Sequence, residues 1–340
     1  MLTRQDLDLQ FVHTIVQEVT TTCNLRCPTC RVTQSNQKPY FIGFSEFTQI
    51  CHNITPYLRQ AKIYNISSSE SLLHPRCFDM IDVVNHINPN MLISIITNGM
   101  LLDDRKQDAL LRRGVNMICV SIDGAKKETT EQIRVGSNFE TVIKNVKGFV
   151  SKGGMVRTIY VVRDNNIMDL LDFIDLADEL GIWMIKCTGL IAYTQKDTQH
   201  CAYSYEGIPE VDSILRQAAE KAKAKKIEFT YRPTKIVEDD GFCCLSQTMY
   251  IGVHGDVSPC VYLSEPTPLS LLDKTRVTES ITWGNVLEKP IQDIWLSDNS
   301  LAFRQGMVKG ENCDLCGMKY VPACGMPKDP CKYPEIGKGQ

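Results

Sequence analysis

The chain has 340 residues, 43% of them hydrophobic, a formal net charge of −3 and a pI near 6.1. That length suits one large α/β domain plus a smaller one, and the charge balance gives no footing for a nucleic-acid partner or an anionic membrane. No apolar run approaches the roughly 18 residues that span a bilayer, and polar, acidic Met1 to Gln10 is no signal peptide. Fifteen cysteines without an export signal point to metal ligation in a reducing compartment rather than disulfides. The expected location is the cytoplasm, anaerobic or otherwise protected from oxygen.

β-branched Phe11 to Thr20 predicts a first strand, and Phe44 to Leu58 has apolar residues at helical spacing. Strands are predicted at 63–67, 91–97, 117–122, 156–162 and 182–187. Helices are predicted at 77–87, 105–113, 139–152 and 167–180. Six strands alternating with helices imply a parallel sheet with right-handed crossovers. A long helix at 209–226 leads out of it, and its basic end, Lys221 to Lys226, is a solvated helix terminus. From about Glu238 cysteine, glycine and proline rise and helical periodicity fades. The expected division is therefore residues 1–235 and 236–340.

The first predicted strand runs into Cys23-Asn24-Leu25-Arg26-Cys27-Pro28-Thr29-Cys30. Three thiols spaced C-x3-C-x2-C on a tight loop are suited to one iron–sulfur cube. A cube has four irons, so one is left without a protein ligand, and an open position marks chemistry rather than scaffolding. A zinc knuckle is the bland alternative. The triplet after a strand resembles the signature of the radical S-adenosylmethionine (radical SAM) enzymes. The resemblance implies a partial (β/α)6 TIM-like barrel and a [4Fe-4S] cluster whose open iron chelates SAM. It also implies a 5′-deoxyadenosyl radical that abstracts hydrogen from substrate, and a one-electron donor such as flavodoxin or ferredoxin. Thr29 departs from the family, which places an aromatic residue before the third cysteine.

Further matches follow the predicted strands, at the ends where barrels carry their chemistry. Ser68-Ser69-Glu70-Ser71 stands where the family has Gly-Gly-Glu-Pro, which implies SAM binding by Ser69 and Glu70. Serine needs more room than glycine, so a different backbone path is expected. Asn98 and Ser121 are expected to face the SAM ribose or carboxylate. Asp123 is either a SAM-facing residue or a turn former. Arg134, in Ile133 to Phe139, is either a partner of the SAM carboxylate or a surface ion pair.

A second cysteine group holds Cys243, Cys244, Cys260, Cys313, Cys316, Cys324 and Cys331. Ile251 to Cys260 predicts a hairpin turning at Gly255. With Gly255-x4-Cys260, Cys313-x2-Cys316 and the Trp283 to Trp295 stretch, this region resembles a small C-terminal SPASM/twitch domain. The resemblance implies an auxiliary [4Fe-4S] cluster on Cys243, Cys260, Cys313 and Cys316. A second cluster that draws in Cys324 and Cys331, or a zinc site on the last four cysteines, stays open. Adjacent Cys243 and Cys244 point different ways, so Cys243 is expected to ligate and Cys244 to donate a hydrogen atom, or the reverse. The expected outcome is epimerisation, with Cys244 quenching a substrate radical from the opposite face. The alternative is dehydrogenation or cross-linking, with the auxiliary cluster taking an electron. A cluster carrier or SAM-dependent sensor is the non-enzyme alternative. Only 22 residues precede Cys23, short of the peptide-binding extension many family members carry. The expected substrate is therefore a natural-product intermediate, an aminosugar before a peptide.

Overall fold

The computed structural model describes residues 10–35, 37–236 and 244–309, the side chain of Cys244 excepted. Seven parallel strands alternate with helices: β1 (Thr14–Gln17), β2 (Ile63–Ile66), β3 (Leu92–Thr97), β4 (Met117–Ser121), β5 (Met155–Val162), β6 (Met184–Gly189) and β7 (Glu228–Thr230). They pair in chain order, the outcome of successive βαβ units. The first six match the expected strands. The seventh was not expected: it is three residues long, only half-buried, and pairs on one side alone. β1 is shorter than its β-branched run, because past Gln17 the chain turns into the cysteine loop.

The patterning explains the layers. β5 alternates between half-buried and buried residues, whereas the first four residues of β4 are all buried, as expected of a strand covered on both faces. The helix Phe139–Ser151 starts where Asn138 Oδ1 accepts from the Thr141 amide (2.8 Å). Its Val142, Val146 and Phe149 share one face and enter the core. Val142 also meets the end of β3: a Cβ on Gly99 would lie 3.0 Å from Val142 Cγ1, and Gly99 has φ +80°. Only glycine fits that turn without strain, and the turn aims Asn98 at the cysteine loop.

The C-terminal region does not stand apart from this sheet. β8 (Thr248–Ile251) runs parallel to β1 along its other edge, Thr14 opposite Thr248. β9 (Asp256–Ser258) turns back antiparallel to β8, with Gly255 at φ +88°, as the hairpin pattern predicted. β10 (Thr267–Leu271) and β11 (Lys274–Thr278) form a separate ribbon, and β12 (Gly284–Asn285) pairs with β9. One sheet of ten strands results, ordered 12-9-8-1-2-3-4-5-6-7. The Trp283 to Trp295 stretch packs beside it, with the buried Arg304 guanidinium 3.7 Å from the Trp295 ring centre. Among the described residues no helix is long and apolar enough to cross a membrane.

Candidate active site at the ends of the parallel strands

Beyond β1 the chain makes an excursion closed at its base. The Thr21 amide donates to Tyr40 O (3.1 Å), the Tyr40 amide donates to Thr21 Oγ1 (2.9 Å), and Thr20 bridges Phe41. Cys23, Cys27 and Cys30 lie on this excursion, each a free, half-buried thiol. Cys23 Sγ accepts from the Leu25 amide (3.4 Å) and from Asn98 Nδ2 (3.7 Å). The Arg26 amide donates to Val135 O (2.9 Å), tying the loop to the segment after β4. Among the described residues no three His, Cys, Asp or Glu side chains converge on one ion. That spread is compatible with a cluster, in which each thiolate holds a different iron. Burial raises the Cys23 and Cys27 thiols, and neighbouring thiols add to the rise. Arg134 opposes it at Cys27, which is pushed up to about 11. Three thiols that repel one another as anions fit a cationic iron–sulfur core.

Glu70 is 1% exposed and its carboxylate is fully engaged. It accepts from the Leu72 amide (3.3 Å), Thr97 Oγ1 (2.9 Å) and the Asn98 amide (2.8 Å). It thereby clamps the end of β3 to the loop after β2. Asn98 in turn donates to Asn24 Oδ1 (2.8 Å) inside the cysteine loop. Ser68 has φ +99°, a backbone setting that favours glycine. Its hydroxyl lies 3.4 Å from Tyr250 Oη on β8. Ser69 Oγ is buried with no partner among the described residues, as is Arg134 Nε. Ser121 closes β4, half-buried. Asp123 is buried and joins two elements: its Oδ1 accepts from the Val161 amide (2.7 Å), and its Oδ2 pairs with Arg134 Nη2 (2.7 Å). Glu70 and Asn98 thus meet the cysteine loop on one side and the Asp123–Arg134 pair lies near Cys27 on another, while Ser69 sits in the loop after β2 and Ser121 at the end of β4.

Sequence reasoning missed a buried ion triad beside that loop. Arg31, directly after Cys30, donates from Nη2 to Glu18 (3.2 Å) and from Nη1 to Glu265. Ser35 Oγ adds a 3.3 Å contact to Glu265. The C-terminal region is thereby pinned to the cysteine loop. It also missed Arg163, just past β5, which donates to Thr29 Oγ1 (3.2 Å). An arginine at the end of a barrel strand was the signal available.

Cys260 is half-buried at a turn. Cys243, Cys313 and Cys316 lie outside the described residues, as do Cys324, Cys331 and the side chain of Cys244. The Cys244 backbone opens a short turn, Cys244–Gln247, directly before β8. Because β8 is parallel to β1, this turn lies at the end of the sheet where β1 begins. The three-cysteine loop follows the end where β1 finishes. The expectation that Cys244 faces the cavity beside that loop therefore gains no support from the course of the backbone.

The model of the radical SAM superfamily matches residues 18–177, and that of an iron–sulfur cluster-binding domain, SPASM, matches residues 243–318. The tungsten-containing aldehyde ferredoxin oxidoreductase cofactor-modifying protein of Pyrococcus furiosus is 24% identical over 296 residues, 84% of this chain and 82% of that one. The PqqA peptide cyclase of Streptomyces rochei is 24% identical over 328 residues, 89% and 81% of the two chains. Streptococcus suis SuiB bound to S-adenosylmethionine matches with a TM-score of 0.66 and 15% identity, over 92% of this chain and 72% of that one. SuiB has also been solved with its precursor peptide SuiA. At that identity the structural likeness is one of fold, a partial (β/α) barrel.

Proposed function

Because the chain belongs to the radical SAM superfamily and carries a SPASM iron–sulfur domain, we propose that it oxidises a carbon of a natural-product intermediate, a peptide or an aminosugar. The outcome is dehydrogenation or cross-linking. Its cofactors are a [4Fe-4S] cluster with an open site, SAM and at least one auxiliary cluster. When bound, these groups would supply one-electron chemistry: an acceptor for one substrate hydrogen atom, and an acceptor for the electron left when the second hydrogen departs as a proton.

The remaining roles fall to the chain. Cys23, Cys27 and Cys30 hold the first cluster. Asn98, fixed by Glu70 through its amide, and Ser121 supply polar contacts at the mouth. Arg134 brings a buried, unpartnered Nε–H to the same place, held there by Asp123. Ser69 offers a hydroxyl without a partner. Cys243, Cys260, Cys313 and Cys316 are the proposed auxiliary ligands, in a domain that starts near residue 236. A flavodoxin or ferredoxin in a reducing cytoplasm is the proposed electron donor. A peptide substrate draws support from the relatives that act on or bind peptides.

The observation that carries the reading is the meeting of the three-thiol loop with Asn98 and Arg134 at the strand ends. Oxidation is preferred over epimerisation on two grounds. A relative matched over 89% of this chain is a peptide cyclase, and the Cys244 backbone lies at the end of the sheet where β1 begins, where an electron can cross a distance that a hydrogen atom cannot. The second reading, epimerisation, rests on the adjacent pair Cys243-Cys244 and takes Cys244 as the hydrogen donor.

Turnover in deuterated buffer separates the two. Oxidation gives a product lacking two hydrogens, no solvent deuterium and little effect of Cys244→Ala. Epimerisation gives one deuterium, lost in Cys244→Ala while 5′-deoxyadenosine still forms. Reduced protein that never cleaves SAM refutes both.

A further inference from the structure

Arg163 is 5% exposed, and its guanidinium makes a single hydrogen bond among the described residues, from Nη1 to Thr29 Oγ1 (3.2 Å). Its Nε is buried without a partner among the described residues. The neighbouring acids are committed elsewhere. Asp123 pairs with Arg134 (2.7 Å) and the Val161 amide (2.7 Å). Asp164 pairs with His200 Nδ1 (3.0 Å). Asp197 accepts from Thr194 Oγ1 (2.8 Å) and the Thr194 amide (3.0 Å). No carboxylate among the described residues comes within ion-pairing distance of Arg163. Burial, the largest influence on this guanidinium, disfavours its charge.

A buried charge without a counterion is expensive. Here its position is nonetheless tightly set. The Arg163 amide donates to Asn166 Oδ1 (2.8 Å), and Asn166 Nδ2 donates to Val161 O (2.8 Å) and Asp123 O (3.0 Å). With Nη1 turned to Thr29, the Nε and Nη2 edge is buried and has no partner among the described residues. Two parallel N–H groups on that edge match the two oxygens of a carboxylate.

We propose that Arg163 is a specificity residue that receives a carboxylate of the substrate at the mouth of the barrel, beside Thr29 of the cysteine loop. The inference rests on reading that mouth as the reaction chamber. It narrows the substrate to one with a free carboxylate, such as a peptide terminus or acidic side chain, and against an uncharged or purely cationic aminosugar.

The test uses the anaerobically reconstituted full chain, with acetate as probe and acetamide as its neutral counterpart. Acetate is expected to raise the melting temperature of the wild type in a saturable way, and acetamide is not. In Arg163→Gln the apparent acetate affinity falls about tenfold or more, the loss of a charged bidentate contact. SAM affinity, measured by equilibrium dialysis, stays within about twofold on the same scale. Arg163→Lys, which keeps the charge but not the fork, retains part of the acetate response. The proposal is overturned if acetate and acetamide act alike on the wild type, or if Arg163→Gln keeps the acetate response. It is also overturned if Arg163→Gln loses SAM affinity instead, since the carboxylate is then that of SAM. Should Arg163→Gln not fold, the wild-type comparison and Arg163→Lys decide. A wild type that binds no SAM would sink the functional reading itself, separately from this one.

Discussion

Replacing Arg31 with methionine asks whether the cysteine loop is anchored by charge or by packing. The Arg31 side chain is 9% exposed and lies between Glu18, at 3%, and Glu265, at 16%. Methionine fills much of the same space but leaves two buried carboxylates facing each other. Removing one member of a buried ion pair destabilises by about 3–5 kcal/mol. Part of that loss depends on pH. Burial already raises the Glu18 carboxyl, Arg31 and the Tyr250 hydroxyl hold it down, and Glu265 pushes it up. Without Arg31 it rises further, so the folded variant binds a proton that the unfolded chain gives up. Its stability is then highest at acidic pH and falls as pH climbs through the raised value. Each tenfold gain in proton affinity on folding is worth about 1.4 kcal/mol. The variant should therefore lose about 3–5 kcal/mol at pH 8 and about 1–2 kcal/mol less than that near pH 5.5. Urea unfolding followed by tryptophan fluorescence measures both. Adding Glu265→Gln should restore part of the loss at pH 8 by removing one of the two like charges. A loss below about 1 kcal/mol, the scale of an exposed pair, or one equal at both pH values would refute the reasoning.

Ser68→Gly should raise the melting temperature. Relief of a strained φ worth about 1–3 kcal/mol outweighs the roughly 0.4–1 kcal/mol of extra chain entropy and the loss of a long 3.4 Å contact to Tyr250. Glu70→Gln should destabilise by about 1–3 kcal/mol, because the new amide must face one of the donors that the carboxylate now satisfies. It should also weaken SAM binding by freeing Asn98, readable by equilibrium dialysis. Cys23→Ala should cost about four irons, one cubane, in an iron assay while the auxiliary iron stays. Iron loading of the apo protein should quicken from pH 7 to pH 9, since the Cys27 thiol, near 11 without metal, must shed its proton to ligate.

The parts legible in the residues are those set by short covalent spacing. C-x3-C-x2-C confines three thiols to one loop whatever surrounds it, and runs such as Met91 to Thr97 declare strands by their own composition. Gly255 marked its hairpin turn because few other residues accept φ +88°. Ser68 carried no such signal: serine rarely takes φ +99°, and the contact of its hydroxyl with Tyr250 spans 182 positions.

Only the tertiary structure decided which distant groups share a buried site. Arg31 finds Glu265 across 234 positions, and Arg163 finds Thr29 across 134. Nothing local in either arginine tells which will be neutralised and which left open. Likewise the order of β1 and β8 along the chain says nothing of their parallel pairing, which sets the turn of Cys244 at the far end of the sheet from the first cluster loop. Ligand spacing is a property of a few consecutive bonds. Charge compensation and the pairing of sheet edges depend on where the whole fold excludes water, and that is settled only once the chain has closed on itself.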